Sequence, residues 1–448
     1  MSDNTLESLG YTQELSRTLT LRDLVIYGLI FIVPIAPFGI FGHVMSASGG
    51  MIVTAYVIGL VGMLFTAICY SQMAKEFPVA GSVYSYVSRG AGSFAGFVAG
   101  WIMLLDYILI PALLYVVGAL AIHDIFPSLS PILLVVAFVV FNTYVNIRGI
   151  SFTATFNRWM LVAELLVLAV FLVAGVVAIS NNVNGAVFSM APVYDADDFS
   201  LGLIISAVPI AVLSFLGFDG ISTLAEEAKG GGKAVSKAIL LVLLIIGGLF
   251  IAQTWVAALI QPDPAAFSNL DTAFYETARI AGGGWLAALT AATTAIAWGI
   301  ADSLVAQIAT ARILYSMGRD RLLPEPLSRV HPRFKTPYVS ALLVGVVSIV
   351  AGIAFMQHLA LLTSIVTIGA LTAFIMLNVT TLYYFVFKKK AANPFLHILC
   401  PLLGLVVVGY IWSGFESYTI LIGLAWAIVG IAIYAAAQRS GRSVNMEI

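Results

Sequence analysis

Four acidic residues stand inside long apolar stretches of this 448-residue chain: Asp106 in WIMLLDYILIP, Glu164 in LVAELLVLAV, Asp219 in LSFLGFDGI and Asp302 in AIAWGIADSLVAQ. A charged side chain at the centre of a bilayer costs about 2.5–3.5 kcal/mol on insertion scales, so a carboxyl stranded there is a functional candidate by default. Its chemistry is to pair with a cation, to exchange a proton, or to sit in a neutral structural hydrogen bond. Asp106 is placed either to face a substrate amine or to bond with the adjacent Tyr107. Glu226 and Glu227 lie at the inner end of their apolar stretch and suit an interfacial network with Lys229, or an inner gate, better than ligand binding.

Two helix-breaking segments accompany these acids. The first reads Val33-Pro34-Ile35-Ala36-Pro37-Phe38-Gly39, and the second reads Val208-Pro209-Ile210-Ala211 followed by Ser214-Phe215-Leu216-Gly217-Phe218-Asp219-Gly220. Proline removes a backbone donor and clashes with the preceding turn, and interrupted backbone at membrane depth is tolerated where it packs in protein or lines a cavity. A half-helix beginning near Pro37 would present amides of Phe38, Gly39 and Ile40, beside Ala36, to a carboxylate. The outer half of the second broken helix would end near Leu213, Ser214 and Leu216, whose carbonyls can accept from an ammonium group. Asp219 then stands where an N-cap for the inner half-helix is needed, with direct substrate contact as its alternative role. Phe38 and Phe215 lie in the broken segments themselves and are expected to act as lids or walls.

The elements that must position these groups follow from composition. Hydrophobic residues make up 61% of the chain and charged residues 10%, against roughly 25% charged in soluble domains. With a mean hydropathy of +1.02, the chain excludes a soluble enzyme, a nucleic-acid binder and a disordered regulator. Cys69 and Cys400 both fall in apolar stretches and read as buried small residues, giving neither a disulfide framework nor a metal site. Apolar runs between polar breaks predict twelve membrane-spanning helices, at about 24–49, 52–76, 94–122, 130–147, 155–180, 201–228, 234–260, 284–317, 337–357, 359–387, 395–414 and 417–438.

Basic residues test that count. Starting inside, the inner segments hold Arg17 and Arg22, Lys75 and Arg89, Arg148 and Arg158, and Lys229, Lys233 and Lys237. They continue with Arg312, Arg319, Arg321, Arg329, Arg333 and Lys335, then Lys388, Lys389 and Lys390, and finally Arg439 and Arg442. That is 20 of the 21 basic residues; Arg279 alone falls outside, together with Asp124, Asp195, Asp197, Asp198, Asp263, Asp271, Glu276 and Glu416. The positive-inside rule therefore places both termini in the cytoplasm. The expected fold is an all-α membrane protein: a cytoplasmic tail at 1–23, a ten-helix core at 24–387 built as a 5+5 inverted repeat (24–180 and 201–387) with helices 1 and 6 broken, two extra C-terminal helices at 395–438, and a second tail at 439–448. Paired broken helices in an inverted repeat mark the site of a secondary transporter.

Leu213 to Lys229 (LSFLGFDGISTLAEEAK), Glu76 to Tyr84 (EFPVAGSVY) and Ala311 to Pro337 (ARILYSMGRDRLLPEPLSRVHPRFKTP) resemble the amino acid-polyamine-organocation transporter superfamily along essentially the whole chain. Trp101 to Pro111 and the stretch from Pro401 are similar to the putrescine importers. The resemblance implies alternating access with proton-coupled or exchange transport of amino acids or amines across the plasma membrane. It departs at the first break: amino acid permeases there show Gly-Ser/Thr-Gly and putrescine importers carry an acid where Gly39 stands, whereas this chain has Pro37-Phe38-Gly39. Glu164 falls where several proton-coupled relatives carry a lysine, which implies a proton-coupling role. Asp302 lies on the span bordering the same position, so the two acids could share a proton or form a cation site.

The expected partners are a small-molecule substrate, a proton as coupling ion and membrane lipid, with no cofactor and no nucleic acid. An exchanger and a polyamine importer stay open as alternatives, as does a membrane sensor. An enzyme is not expected, because the five histidines, His43, His123, His331, His358 and His397, are scattered without ligand spacing. Orientation has a direct check. In a background lacking Cys69 and Cys400, Lys390→Cys should react with a membrane-impermeant maleimide only from the cytoplasmic side and Asp263→Cys only from outside; the opposite labelling would reverse the topology.

Overall fold

The computed structural model describes residues 19–439 except 80, 149–150, 197–198, 320–322 and 335. The tails 1–18 and 440–448, with Arg17 and Arg442, lie outside the described residues, as do Ala80, Asp197, Asp198, Arg321 and Lys335.

Among the described residues, twelve helices are long and apolar enough to cross a membrane. They are Leu21–Gly39, Ile52–Glu76, Ser93–Ile125, Pro131–Arg148, Arg158–Ser180, Leu201–Leu224, Gly231–Ile260, Gly284–Tyr315, Tyr338–Phe355, Leu359–Lys388, Pro394–Ser413 and Ser417–Ala436, called spans 1 to 12 in that order. The chain is therefore an all-helical, multi-pass membrane protein. Its two isolated paired residues, Leu19 and Ala228, tie the start of span 1 to the end of span 6. The bonds run from the Leu19 amide to the Glu227 carbonyl (3.0 Å) and from the Lys229 amide back to Leu19 (2.9 Å).

Burial sorts the spans into a centre and a rim. Span 3 is 83% buried and span 12 is 17% buried, with Leu421, Leu424 and Ile428 of span 12 exposed. Span 3 is thus the axis, packed by spans 4, 8, 9 and 10, while spans 2 and 7 pack against each other along their length. Cys69 and Cys400 are free and fully buried. Two short helices, Ser82–Ala91 and Ala273–Gly282, occupy the connections before spans 3 and 8, where the hydropathy pattern shows only loop.

Both breaks exist; the first differs in its boundaries from those expected, and the second opens after Leu213 as expected. In span 1 the α-helix ends at Ile32, one residue ahead of Val33, which takes φ 62°. Val33 precedes Pro34, and a residue before proline is pushed out of the α region. A 3-10 turn follows at Ala36–Gly39, and α-helix resumes only at Phe41, not at Pro37. In span 6 the helix runs unbroken through Pro209 to Leu213 and then opens over Ser214–Gly217. Gly217 has φ 109° and a Cβ there would stand 3.0 Å from the Phe31 carbonyl oxygen, so glycine is required both by conformation and by this close approach of the two breaks. The second part of span 6, Phe218–Leu224, is a 3-10 helix.

Side chains from intact spans satisfy the interrupted backbone. Gln253 of span 7 is fully buried and donates from Nε2 to the Pro34 carbonyl (2.9 Å) and to Leu249 (3.0 Å). Leaving a buried carbonyl unpaired costs about 1–3 kcal/mol. Gln253→Leu should therefore lower the stability of the purified protein by about 1 kcal/mol, at the low end because membrane hydrogen bonds are modest. A thermal midpoint equal to wild type would show that this bond does not hold the break.

Candidate functional site

The two breaks, span 3 and span 8 enclose a cavity of about 50 Å³. From span 1 it is lined by Phe31, Ile32, Val33, Ala36 and Ile40, and from span 6 by Leu213, Ser214, Leu216, Gly217 and Asp219. Span 3 supplies Asp106, Tyr107, Ile110, Leu113 and Leu114, and span 8 supplies Trp298, Asp302 and Ala306.

Backbone direction gives this cavity a negative character. The helical segments Leu21–Ile32 and Leu201–Leu213 both end at it, so each points the negative end of its dipole there. The Ser214 and Leu216 carbonyls accept no backbone hydrogen bond among the described residues, whereas Leu213 accepts from the Leu216 amide (3.1 Å). The expected amide cradle is not formed. The Phe38 amide is taken by the Ile35 carbonyl (2.9 Å) and the Ile40 amide by Pro37 (3.2 Å), because the segment coils into a tight 3-10 turn rather than opening as a fresh helix N-terminus.

Three carboxyls reach the cavity, and among the described residues no lysine or arginine does. Asp219 accepts from the Tyr107 hydroxyl (2.8 Å) and more weakly from the Ser82 hydroxyl (3.4 Å). Gly217, not Asp219, occupies the cap position of the turn that follows, and the Asp219 carboxyl forms a link across spans 3 and 6. The bond suggested between Asp106 and Tyr107 is absent, since the Tyr107 hydroxyl points to Asp219. Neither Asp106 nor Asp302 makes a side-chain hydrogen bond among the described residues. Asp302 ends a π-helical turn, Ala297–Asp302, whose extra residue brings both Trp298 and Asp302 to the cavity.

A polar seam holds that turn in place. Asn142 of span 4 donates to Ser303 (2.8 Å), to the Tyr115 hydroxyl (3.2 Å) and to the Gly299 and Ile300 carbonyls (3.3 Å each). Nearby, Asn146 donates to Gln307 (2.7 Å), and Gln307 donates to Thr143 (2.8 Å). Thr310 donates to the Tyr107 carbonyl (2.5 Å), fastening span 8 to span 3 beside Asp106.

Other expected residues lie outside the lining. Glu164 is buried, with Oε2 lacking a partner, and is near enough to Asp302 for their charges to interact, although no hydrogen bond joins them. Gly39 and Pro37 do not line the cavity; a Cβ at Gly39 would stand 3.0 Å from Val117 and 3.1 Å from Trp298, so this wall has little room for an acid. Phe38 stacks on Phe274 (3.8 Å between centroids) and meets Phe171 edge-on, joining span 1 to the helix before span 8. Phe215 packs against Tyr56 and Phe250, behind the break. Several lining residues were not anticipated, among them Phe31, Leu113, Leu114 and Trp298; the buried indole N–H of Trp298 has no partner. Tryptophans are numerous in this chain, and nothing in the spacing of Ala297-Trp298-Gly299 signals a π turn.

Comparison with known proteins fits this geometry. The family model described as amino acid permease matches residues 24–444. The chain is 32% identical to the low-affinity putrescine importer PlaP of Escherichia coli over 438 residues, covering 96% of this chain and 95% of the relative. It is 27% identical to the branched-chain amino acid permease BcaP of Bacillus subtilis (97% and 95% covered) and 26% identical to the methylthioribose transporter of the same organism (98% and 97% covered). Matched from its first span to beyond its last, the chain belongs to the amino acid permease family of the amino acid-polyamine-organocation superfamily.

Proposed function

We propose that this permease imports a cationic organic amine, with Asp106, Asp219 and Asp302 as the groups that receive it. The carrying observation is the cavity's charge: three buried carboxyls and two helix C-terminal ends with no basic side chain among the lining residues. Buried anions are costly unless paired, and an ammonium group supplies the counter-charge. An α-amino acid would bring a carboxylate as well, and the Phe38 and Ile40 amides that would receive it are already bonded. The putrescine importer among the relatives supports the same substrate class. Ala36, Ile40, Leu213, Ser214 and Leu216 form the remaining substrate surface in this reading, with Phe38 part of an outer lid, while Pro37, Gly39 and Phe215 support the broken segments from behind.

Coupling is proposed to run through Glu164 and Asp302. Glu164 is buried without a partner on one oxygen and interacts with Asp302, which itself faces the cavity, so a proton held at Glu164 changes the charge the substrate meets. The inverted relation of 24–180 to 201–387, with both termini cytoplasmic, belongs to the same proposal and is supported by the position of each break in the first span of its block.

Reconstituted protein should accumulate 1,4-diaminobutane when the outside is acidic; accumulation of leucine with none of the diamine would contradict the substrate reading. Glu164→Gln should remove the response to the proton gradient while leaving diamine exchange with preloaded diamine, and gradient-driven uptake by this variant would overturn the coupling role.

A further inference from the structure

Among the described residues no hydrogen bond reaches the Asp302 carboxyl, so its place in the cavity is set by the backbone that carries it, the π turn Ala297–Asp302. A π turn accommodates one residue more than an α turn, and one residue on a helix is worth about 100° of rotation. Relaxing the turn to α geometry would swing Asp302 away from the wall it shares with Trp298. Whatever keeps the turn wide therefore decides whether span 8 presents a carboxyl to the cavity.

The groups that grip the turn come from spans 3 and 4. A Cβ on Gly118 of span 3 would stand 2.8 Å from the Gly299 Cα, and one on Gly299 would stand 2.7 Å from the Phe138 ring, so the middle of the turn is wedged between the two spans. One helical turn past Phe138, the Asn142 amide nitrogen reaches the Gly299 and Ile300 carbonyls inside the turn (3.3 Å each) and the hydroxyl of Ser303, the residue directly after Asp302 (2.8 Å). Asn142 thus holds the chain on both sides of Asp302 while lying outside the cavity lining itself.

Gluing two membrane helices together does not explain this choice of partners. Span 4 is a rim helix, 22% buried, and the residues it buries are Val135, Val139, Asn142 and Asn146. Asn146, one turn further along, already supplies interhelical bonds of that kind, to the Gln307 side chain (2.7 Å) and the Leu304 carbonyl (3.4 Å), and both partners lie beyond the π turn. Asn142 alone of the pair bonds to the turn.

We propose that Asn142 is a positioning residue for transport: by holding the π turn open it fixes Asp302 where the carboxyl can pair with the substrate ammonium and interact with Glu164. This role rests on the amine and coupling reading of Asp302 and extends it to a residue that touches neither the substrate nor the proton. The charged groups that Asp302 then faces are Glu164 of span 5 and, in the same cavity, Asp106 of span 3 and Asp219 of span 6.

The test sets the two asparagines of one seam against each other. In proteoliposomes, Asn142→Leu should raise the KM for 1,4-diaminobutane at least about tenfold, the scale of one charge-assisted hydrogen bond, and bring uptake with acid outside close to uptake without a gradient. Asn142→Ser keeps a polar group but is too short to reach the turn; it should do the same, and it covers the case in which the leucine variant does not fold. Asn146→Leu removes bonds of the same kind and should keep the wild-type KM and acid response. Asp302→Asn should raise the KM by a similar factor, and adding it to N142S should change the KM less than about twofold, because both act through one carboxyl. Wild-type KM and acid response in N142S, equal effects of the Asn142 and Asn146 variants, or effects of N142S and D302N that multiply in full would each overturn the positioning role and leave amine transport standing. A D302N variant with wild-type KM and acid response removes the part given to Asp302 itself, and the positioning role with it.

Discussion

Three carboxyls buried at membrane depth, with no basic side chain among the residues lining their cavity, are the constraint on which this structure turns. Two interrupted helices direct their C-terminal ends to one small cavity, and Asp106, Asp219 and Asp302 add carboxyls to it. In water such a cluster would be unremarkable. In a buried site each anion is expensive, and relief must come from a proton or from a cationic ligand. Under the proposed function, binding and coupling become one electrostatic problem met by two different cations.

The rest of the fold keeps that cluster from collapsing or drifting. Span 3 is the buried axis and carries Asp106 and Tyr107; Thr310 and the Asn142 seam lock span 8 against its neighbours; Gln253 satisfies the Pro34 carbonyl left open by the first break. Phe38 and Phe274 stack across one side of the cavity, and Asp219 with Tyr107 and Ser82 closes the other. A cavity of about 50 Å³ has room for little more than water, so the site is contracted.

Much of this was legible in the sequence because lipid imposes strong rules. Apolar runs long enough to span a bilayer have few alternatives to helix, and all twelve were recoverable, eleven of them with errors of a few residues and the first, expected at 24–49, ending at Gly39. The acids were legible for the same reason, since a carboxyl in an apolar run stands out. What the linear pattern missed was backbone detail. The prolines of the first break suggested a half-helix restarting near Pro37, whereas a 3-10 turn fills Ala36–Gly39 and α-helix resumes at Phe41. Tyr107 was paired with its neighbour Asp106 by sequence adjacency, yet adjacent residues on a helix point about 100° apart, and its hydroxyl reaches Asp219 on another span. The π turn that presents Trp298 has no periodic signature at all.

The measurement that bears most directly on the central claim is ligand stabilisation of the purified protein. A ligand present at 100 times its Kd stabilises the folded state by about 2.7 kcal/mol, which a thermal unfolding scan resolves easily. The account predicts that 1,4-diaminobutane raises the unfolding midpoint, that Asp219→Asn weakens the rise, and that leucine has no effect. A rise with leucine and none with the diamine would contradict a site built to receive a cation.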